Sequence, residues 1–150
     1  MKLAEALSIR SDLQKRIAQL KSRLLINARV QEGEEPAENP LELLRDLDEL
    51  IAELDAITVS INMTNGQTVD DGETITSLLA RRDGLVLKVG ILRDFLANAS
   101  ATVVRNTKTE IKIKSTIKVS TQQKEVDKVS KDLRQLDARI QALNWTTELK

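Results

Sequence analysis

Glu110-Ile111-Lys112-Ile113-Lys114-Ser115-Thr116-Ile117-Lys118-Val119 is the stretch on which the reading of this chain turns. Its apolar residues, Ile111, Ile113, Ile117 and Val119, fall at every second position between Lys112, Lys114, Thr116 and Lys118. That is the period of a half-buried strand, in a chain that otherwise reads as helix. A lone strand leaves N–H and C=O groups unpaired along both edges, and an isolated hairpin is marginal in water. The stretch therefore needs a partner. Either it runs back along the helices, which makes the fourth helix parallel to the third, or it pairs with Thr102-Val103-Val104 across Asn106-Thr107-Lys108. The hairpin is preferred: Asn106 tolerates a positive φ, and the arm would contact a neighbouring subunit.

Working outward, the 150 residues suffice for one domain, 1–150, with a real core. One Phe and one Trp are the only aromatics, so that core must be Leu, Ile, Val and Ala. With no His and no Cys, Ser–His and Cys–His catalysis, disulfides and Cys-ligated metals are excluded. A formal net charge of zero provides no global field towards nucleic acid or anionic membrane. The charge is nevertheless uneven: ten carboxylates between Glu32 and Asp55 face only Arg45, while Arg105 to Lys118 carries five cations against Glu110. No apolar run approaches the about 18 residues of a membrane span. Met1-Lys2-Leu3-Ala4-Glu5 runs straight into an amphipathic pattern without a leader, so a cytoplasmic location is expected.

Four long helices are expected. The first covers Leu3 to Ala28 on a stripe of Leu13, Ile17, Leu20 and Leu24, extended by Leu3 and Leu7. The second opens at Asn39-Pro40 with Glu42 completing a capping box, follows Leu44, Leu47, Ile51, Leu54, Thr58 and Ile61, widened by Leu50 and Ile57, and stops at Gly66. A polar turn at Asp70-Asp71-Gly72 leads to the third, Thr74 to Asn98. Its Ile75, Leu78, Leu85, Val89, Leu92, Leu96 and Ala99 keep a three/four rhythm that Arg82 interrupts. Close helix approach is the expected reason for Gly84 and Gly90. The fourth starts at a Ser120/Gln123 capping box and carries a heptad seam of coiled-coil type: Val126, Val129, Leu133, Leu136, Ile140 and Leu143.

Met1-Lys2-Leu3-Ala4-Glu5-Ala6-Leu7, Asp12-Leu13-Gln14-Lys15-Arg16-Ile17, Asn27 to Pro36, Leu79-Ala80-Arg81-Arg82-Asp83, Glu110-Ile111-Lys112 and Asn144-Trp145-Thr146-Thr147-Glu148-Leu149 carry a resemblance over nearly the whole chain. The chain resembles the group of small bacterial helical proteins often labelled septicolysin and otherwise described as of unknown function. The label implies a cytolysin; the resemblance implies no catalytic or ligand residues.

Three candidate sites follow from the residues. Asp46, Glu49 and Glu53 share a helical face and suit Mg²⁺, as in all-α nucleotide pyrophosphohydrolases; a solvated acidic face is the simpler reading. Arg81 and Arg82, with Asn62 and Asn65 expected at the same end of the bundle, suit a phosphate or carboxylate. A structural salt bridge of Arg82 with Asp12 or Asp83 competes with that role. Asn27 and Arg29, at the other end, are weighed the same way. Ile111, Ile113, Ile117 and Val119 form the interface face of the strand, whose lysines guard an edge or meet a partner's acids rather than nucleic acid. Trp145 is expected to anchor the C-terminal tail.

The expectation is a mainly α fold: an antiparallel helical bundle of four long helices, with a β-hairpin or strand at about 101–119 inserted before the last. Functionally, a non-enzymatic homo-oligomer without cofactors is expected, its partner a second copy of itself. A cytolysin-like membrane-active protein and a Mg²⁺-dependent nucleotide hydrolase are the alternatives.

Overall fold

The structure, a computed structural model, describes residues 1–101 and 111–150. Four helices dominate it: α1 (Leu3–Ile26), α2 (Pro40–Gln67), α3 (Ile75–Ser100) and α4 (Val119–Thr146). Two short strands, β1 (Val69–Asp70) and β2 (Glu73–Thr74), lie between α2 and α3. The described residues form two compact units, Met1–Ile75 with Ala142–Lys150, and Thr76–Gln141.

In the first unit α1 and α2 form an antiparallel hairpin on a row of leucines. Leu13, Leu20, Leu43 and Leu50 are buried, with Ile17, Leu24, Leu47, Leu54 and Ile57 packed against them. On α1 the inward positions are Leu3, Ala6, Leu13, Ile17, Leu20, Leu24 and Asn27, so Ala6 rather than Leu7 continues the stripe. On α2 they are Leu43, Leu47, Leu50, Leu54, Ile57, Ile61 and Thr64. Leu47, Leu50, Leu54, Ile57 and Ile61 of the expected stripe face inward, while Leu44 and Ile51 are 46% and 40% exposed, with Leu43 and Leu50 buried beside them. Leu43-Leu44 and Leu50-Ile51 are apolar doublets that satisfy either register, and the match to α1 selects the first of each.

Each end of this hairpin is tied by polar contacts. Asn27 closes α1: its amide donates to the Arg23 carbonyl at 2.9 Å, and its Oδ1 accepts the Glu38 N–H at 3.0 Å. This is the structural role weighed for it. Arg23 also pairs with the Glu38 carboxylate. Asn39 caps α2 as expected, accepting the Leu41 N–H at 3.0 Å, with Pro40 in the first turn. At the other end the C-terminal tail is bound by backbone. Leu3 N–H donates to the Thr147 carbonyl at 2.9 Å and Leu149 N–H to the Met1 carbonyl at 2.8 Å, across a Lys2–Glu148 antiparallel bridge. Lys150 N–H donates to the Thr64 hydroxyl at 2.9 Å. Glu148 meets the terminal ammonium at 3.2 Å and Lys2 Nζ at 2.6 Å. Trp145, expected to provide this anchor, is 64% exposed; backbone pairing holds the tail instead.

Gly66 does not stop α2, which continues to a C-cap at Thr68. The turn after it is tighter than expected. Val69 pairs with Thr74 and Asp70 with Glu73, closed by Asp71 (φ 49°) and Gly72 (φ 80°). Positive φ at both loop residues is the I′ geometry that an Asp-Gly pair favours.

In the second unit α3 and α4 run antiparallel: Arg93 bonds Ser130, and both Ser100 near the end of α3 and Gln123 near the start of α4 border the same groove. The inward rhythm of α3 from Leu78 to Ala99 is the expected one, as is that of α4 from Val126 to Ile140. An antiparallel α4 excludes the return-run alternative. The Ser120/Gln123 capping box is absent: Lys118 offers its carbonyl to the N–H groups of Thr121 and Gln122, and Gln123 bonds Asp127 instead. A Cβ at Gly84 or Gly90 would meet nothing within 4 Å, so close packing within the chain does not explain either glycine.

Among the described residues the small antiparallel β element lies at residues 69–74. Ile111 to Lys118 form no strand: Ile111 and Ile113 are 94% and 68% exposed, Ile117 is half-buried, and Val119 begins α4. Alternation supplies the period of a strand but not a ladder partner, and the described residues offer these none. Ser115 ends it in a local turn, its hydroxyl donating to the Ile117 carbonyl at 3.0 Å. Thr102-Val103-Val104, the other half of the expected hairpin, lies outside the described residues.

Leu50→Ala should lower unfolding free energy by about 3 kcal/mol, the cost of a buried leucine cavity, read from denaturant titration. Gly90→Ala should raise it by about 1 kcal/mol, since the helix gains an alanine and the methyl meets no neighbour. Glu148 is held below the usual carboxylate range by its bonds to Lys2 and the terminal ammonium. Its contribution is therefore present above the ordinary Glu range and lost as pH falls through its lowered pKa. Melting temperatures of wild type and Glu148→Gln should differ at neutral pH and converge below that range.

Candidate functional site

The acidic trio expected to suit Mg²⁺ sits over the α1/α2 hairpin. Asp46, Glu49 and Glu53 border a groove of about 370 Å³ whose opposite wall is Arg16, Gln19 and Arg23. The groove runs beside Leu20 and Leu50, while Asp46, Glu49 and Glu53 themselves are exposed, as the solvated-face reading expects. The guanidinium of Arg23 holds Glu38 below the usual carboxylate range through their hydrogen bond. Arg23 is itself raised, first by Glu38 and further by the charge of Asp46. Cations facing carboxylates satisfy one another; a metal site needs the carboxylates to converge on a point. Among the described residues no three acidic side chains gather closely enough to hold an ion.

The four residues expected to form an anion site divide between the units. Asn62 and Asn65 lie in the last turns of α2, in the first unit, and Arg81 and Arg82 in the second turn of α3, in the second. Arg82 donates to Asp83 Oδ1 through Nε at 3.1 Å and Nη2 at 2.8 Å, the salt bridge weighed against ligand binding. Asn65 Oδ1 is buried without a hydrogen-bond partner among the described residues.

Two features of the second unit stand out, and sequence reasoning singled out neither. The first is a groove of about 520 Å³ between the C-terminal half of α3 and the N-terminal half of α4. Arg93, Leu96, Ala97 and Ser100 enter it at i, i+3, i+4 and i+7, and Gln123, Val126, Asp127, Ser130 and Arg134 at matching positions of α4. Leu96 and Val126 form a buried apolar floor. Arg93 Nη2 reaches the Ser130 hydroxyl at 3.4 Å, and Gln123 Nε2 donates to Asp127 Oδ1 at 2.9 Å. The available signal was Ser130 followed by Arg134 one turn later, a polar pair beside the Val129–Leu133 stripe.

The second feature is the far side of α3. Leu87, Ile91 and Phe95, at i, i+4 and i+8, are 66%, 59% and 45% exposed, although Leu85, Val89, Leu92 and Leu96 already supply an inward stripe. Phe95 also borders a hollow of about 140 Å³ shared with Ile113, which joins one of the expected interface residues to this face. Among the described residues no helix is long and apolar enough to cross a membrane.

The described geometry can be set beside known proteins. A crystal structure of a functionally unknown conserved protein from Corynebacterium diphtheriae is 40% identical, with a TM-score of 0.92, over 100% of this chain and 99% of that one. No curated protein matches. Both the neighbour and the matching family are described as of unknown function, so they support the helical fold and lend nothing to the cytolytic activity that the septicolysin resemblance implied. Residues 10–149, nearly the whole chain, match the profile of the family of unknown function DUF6847, and the protein belongs to that family.

Proposed function

We propose that the protein acts as a self-associating helical scaffold without catalytic chemistry, and that the far side of α3 is the surface on which a second copy docks. One observation carries the reading: Leu87, Ile91 and Phe95 expose half or more of their surface, or nearly so, in one continuous helical stripe. A monomer gains nothing by placing three bulky apolar side chains in water on a helix whose other side is already buried. Gly84 precedes the stripe by one turn and has open space around it, which lets a partner helix approach closely.

A second copy suits this face better than an unrelated partner. The stripe is bordered by Asp83 and Asp94 on one edge and Lys88 on the other, so its rim carries both signs and has no bias towards a strongly charged partner. A two-fold axis would bring two identical apolar stripes together, the self-complementary arrangement commonest among soluble oligomers. Ile113 and the exposed Ile111 extend the patch beyond α3. Three half-exposed side chains amount to a few hundred Å². With Ile113 and Ile111 added on both copies, the interface reaches on the order of 1,000 Å², the lower bound for a specific contact.

Sedimentation velocity at micromolar concentration should give a dimer or larger species. Leu87→Lys/Ile91→Lys should sediment as a monomer with unchanged helical circular dichroism, since substitutions at exposed positions cost within about 0.5 kcal/mol. A wild-type protein that stays monomeric throughout, or a double variant that still associates, overturns the proposal.

A further inference from the structure

We infer that the groove between α3 and α4 binds a small organic phosphate, with the phosphoryl group between Arg93 and Arg134 and hydroxyl or amino groups of the ligand towards Asp127. The inference is independent of self-association, because the groove opens on another part of α3 than Leu87 and Ile91.

The first argument is electrostatic. Two guanidiniums border the groove against one carboxylate. Among the described residues neither Arg93 nor Arg134 pairs with an acid: Arg93 makes one long bond to a neutral hydroxyl, and the carboxylate of Asp127 is engaged by Gln123. This differs from the α1/α2 groove, where Arg23 meets Glu38 and faces Asp46. Two arginines against one carboxylate leave the cleft with an excess of positive charge, which a bound anion relieves.

The second argument is Ser130, a polar side chain that lines the groove and is only 8% exposed. A buried helical hydroxyl ordinarily donates back to a carbonyl one turn earlier. Ser100 does so, to Leu96 at 2.7 Å, and Thr64 does so, to Ser60 at 2.8 Å. Among the described residues Ser130 makes no such bond; its oxygen accepts from Arg93 and its proton is left to donate. A ligand oxygen is the partner that completes it.

Shape and donor number select the ligand class. A single arginine fork already satisfies both oxygens of a carboxylate. Two forks from facing helices and a hydroxyl between them match the three terminal oxygens of a phosphate monoester. The cavity is far larger than inorganic phosphate and lies within the range of small-ligand sites, with Leu96 and Val126 to cover carbon atoms. Asp127, one turn from Ser130, repels a second anionic group and accepts from a hydroxyl or amine. No aromatic side chain borders the groove, so a nucleobase has nothing to stack on.

Isothermal titration calorimetry on the full chain decides the matter, with glycerol 3-phosphate, inorganic phosphate and glycerate as probes. Glycerol 3-phosphate should bind more tightly than inorganic phosphate, and glycerate more weakly than either. Arg93→Met and Arg134→Met should each weaken glycerol 3-phosphate about tenfold or more, the loss of a charge-assisted bond, with helical circular dichroism unchanged. Asp127→Asn should narrow the preference for glycerol 3-phosphate over inorganic phosphate. Absence of binding heat with both phosphates, glycerate binding as tightly as glycerol 3-phosphate, or unchanged affinity in a folded Arg93→Met/Arg134→Met protein overturns the inference.

Discussion

Burial of one seven-residue-spaced apolar stripe per helix is the constraint from which the structure follows. Two aromatics leave little else to drive folding, so the core depends on many aliphatic side chains of similar size meeting in register. In the first unit that register is Leu13 and Leu20 against Leu43 and Leu50. Both doublets of α2 would tolerate a one-position rotation by hydrophobicity alone. The polar ties at the hairpin ends help to prevent it: Asn27 grips the chain just before α2, and Thr64 receives the end of the tail. Apolar packing provides the stabilisation and hydrogen bonding specifies the register.

The same economy bears on function. Without histidine or cysteine, the chain recognises what it binds with arginines, lysines, carboxylates, amides and hydroxyls. In the first unit Arg23 is paired with Glu38 and feels the charge of Asp46 across the groove. In the second unit Arg93 and Arg134 outnumber Asp127, the one carboxylate of their groove, and α3 keeps an exposed apolar face. Both unsatisfied surfaces belong to α3 and α4. The proposed ligand and the proposed second copy would both contact α3.

Local signals were legible wherever a short run of residues decides the outcome. Asn39-Pro40 starts a helix in any context, because the cap and the fixed φ of proline act within one turn. The helical spacings of α1, α3 and α4 were equally plain. Asp71-Gly72 between Val69 and Glu73 carried a hairpin signal that was read only as a turn, because two-residue strands are too short to show a period. The Glu110–Val119 alternation misled for the opposite reason. Its period is that of a strand, but a strand is defined by its partner, and Ile111 to Lys118 have none among the described residues.

By itself, then, the sequence determined four amphipathic helices, their approximate ends and the absence of histidine and cysteine chemistry, all properties of neighbouring residues or of composition. Only tertiary structure decided which of two leucine registers packs, that the tail is held by backbone and not by Trp145, and that Asp46, Glu49 and Glu53 face arginines. It also decided that Arg93 meets Ser130, 37 residues away, in a groove that no local pattern outlines. These depend on how helices rotate and pair, and that choice is made by the sum of contacts across the chain rather than by any one stretch of it.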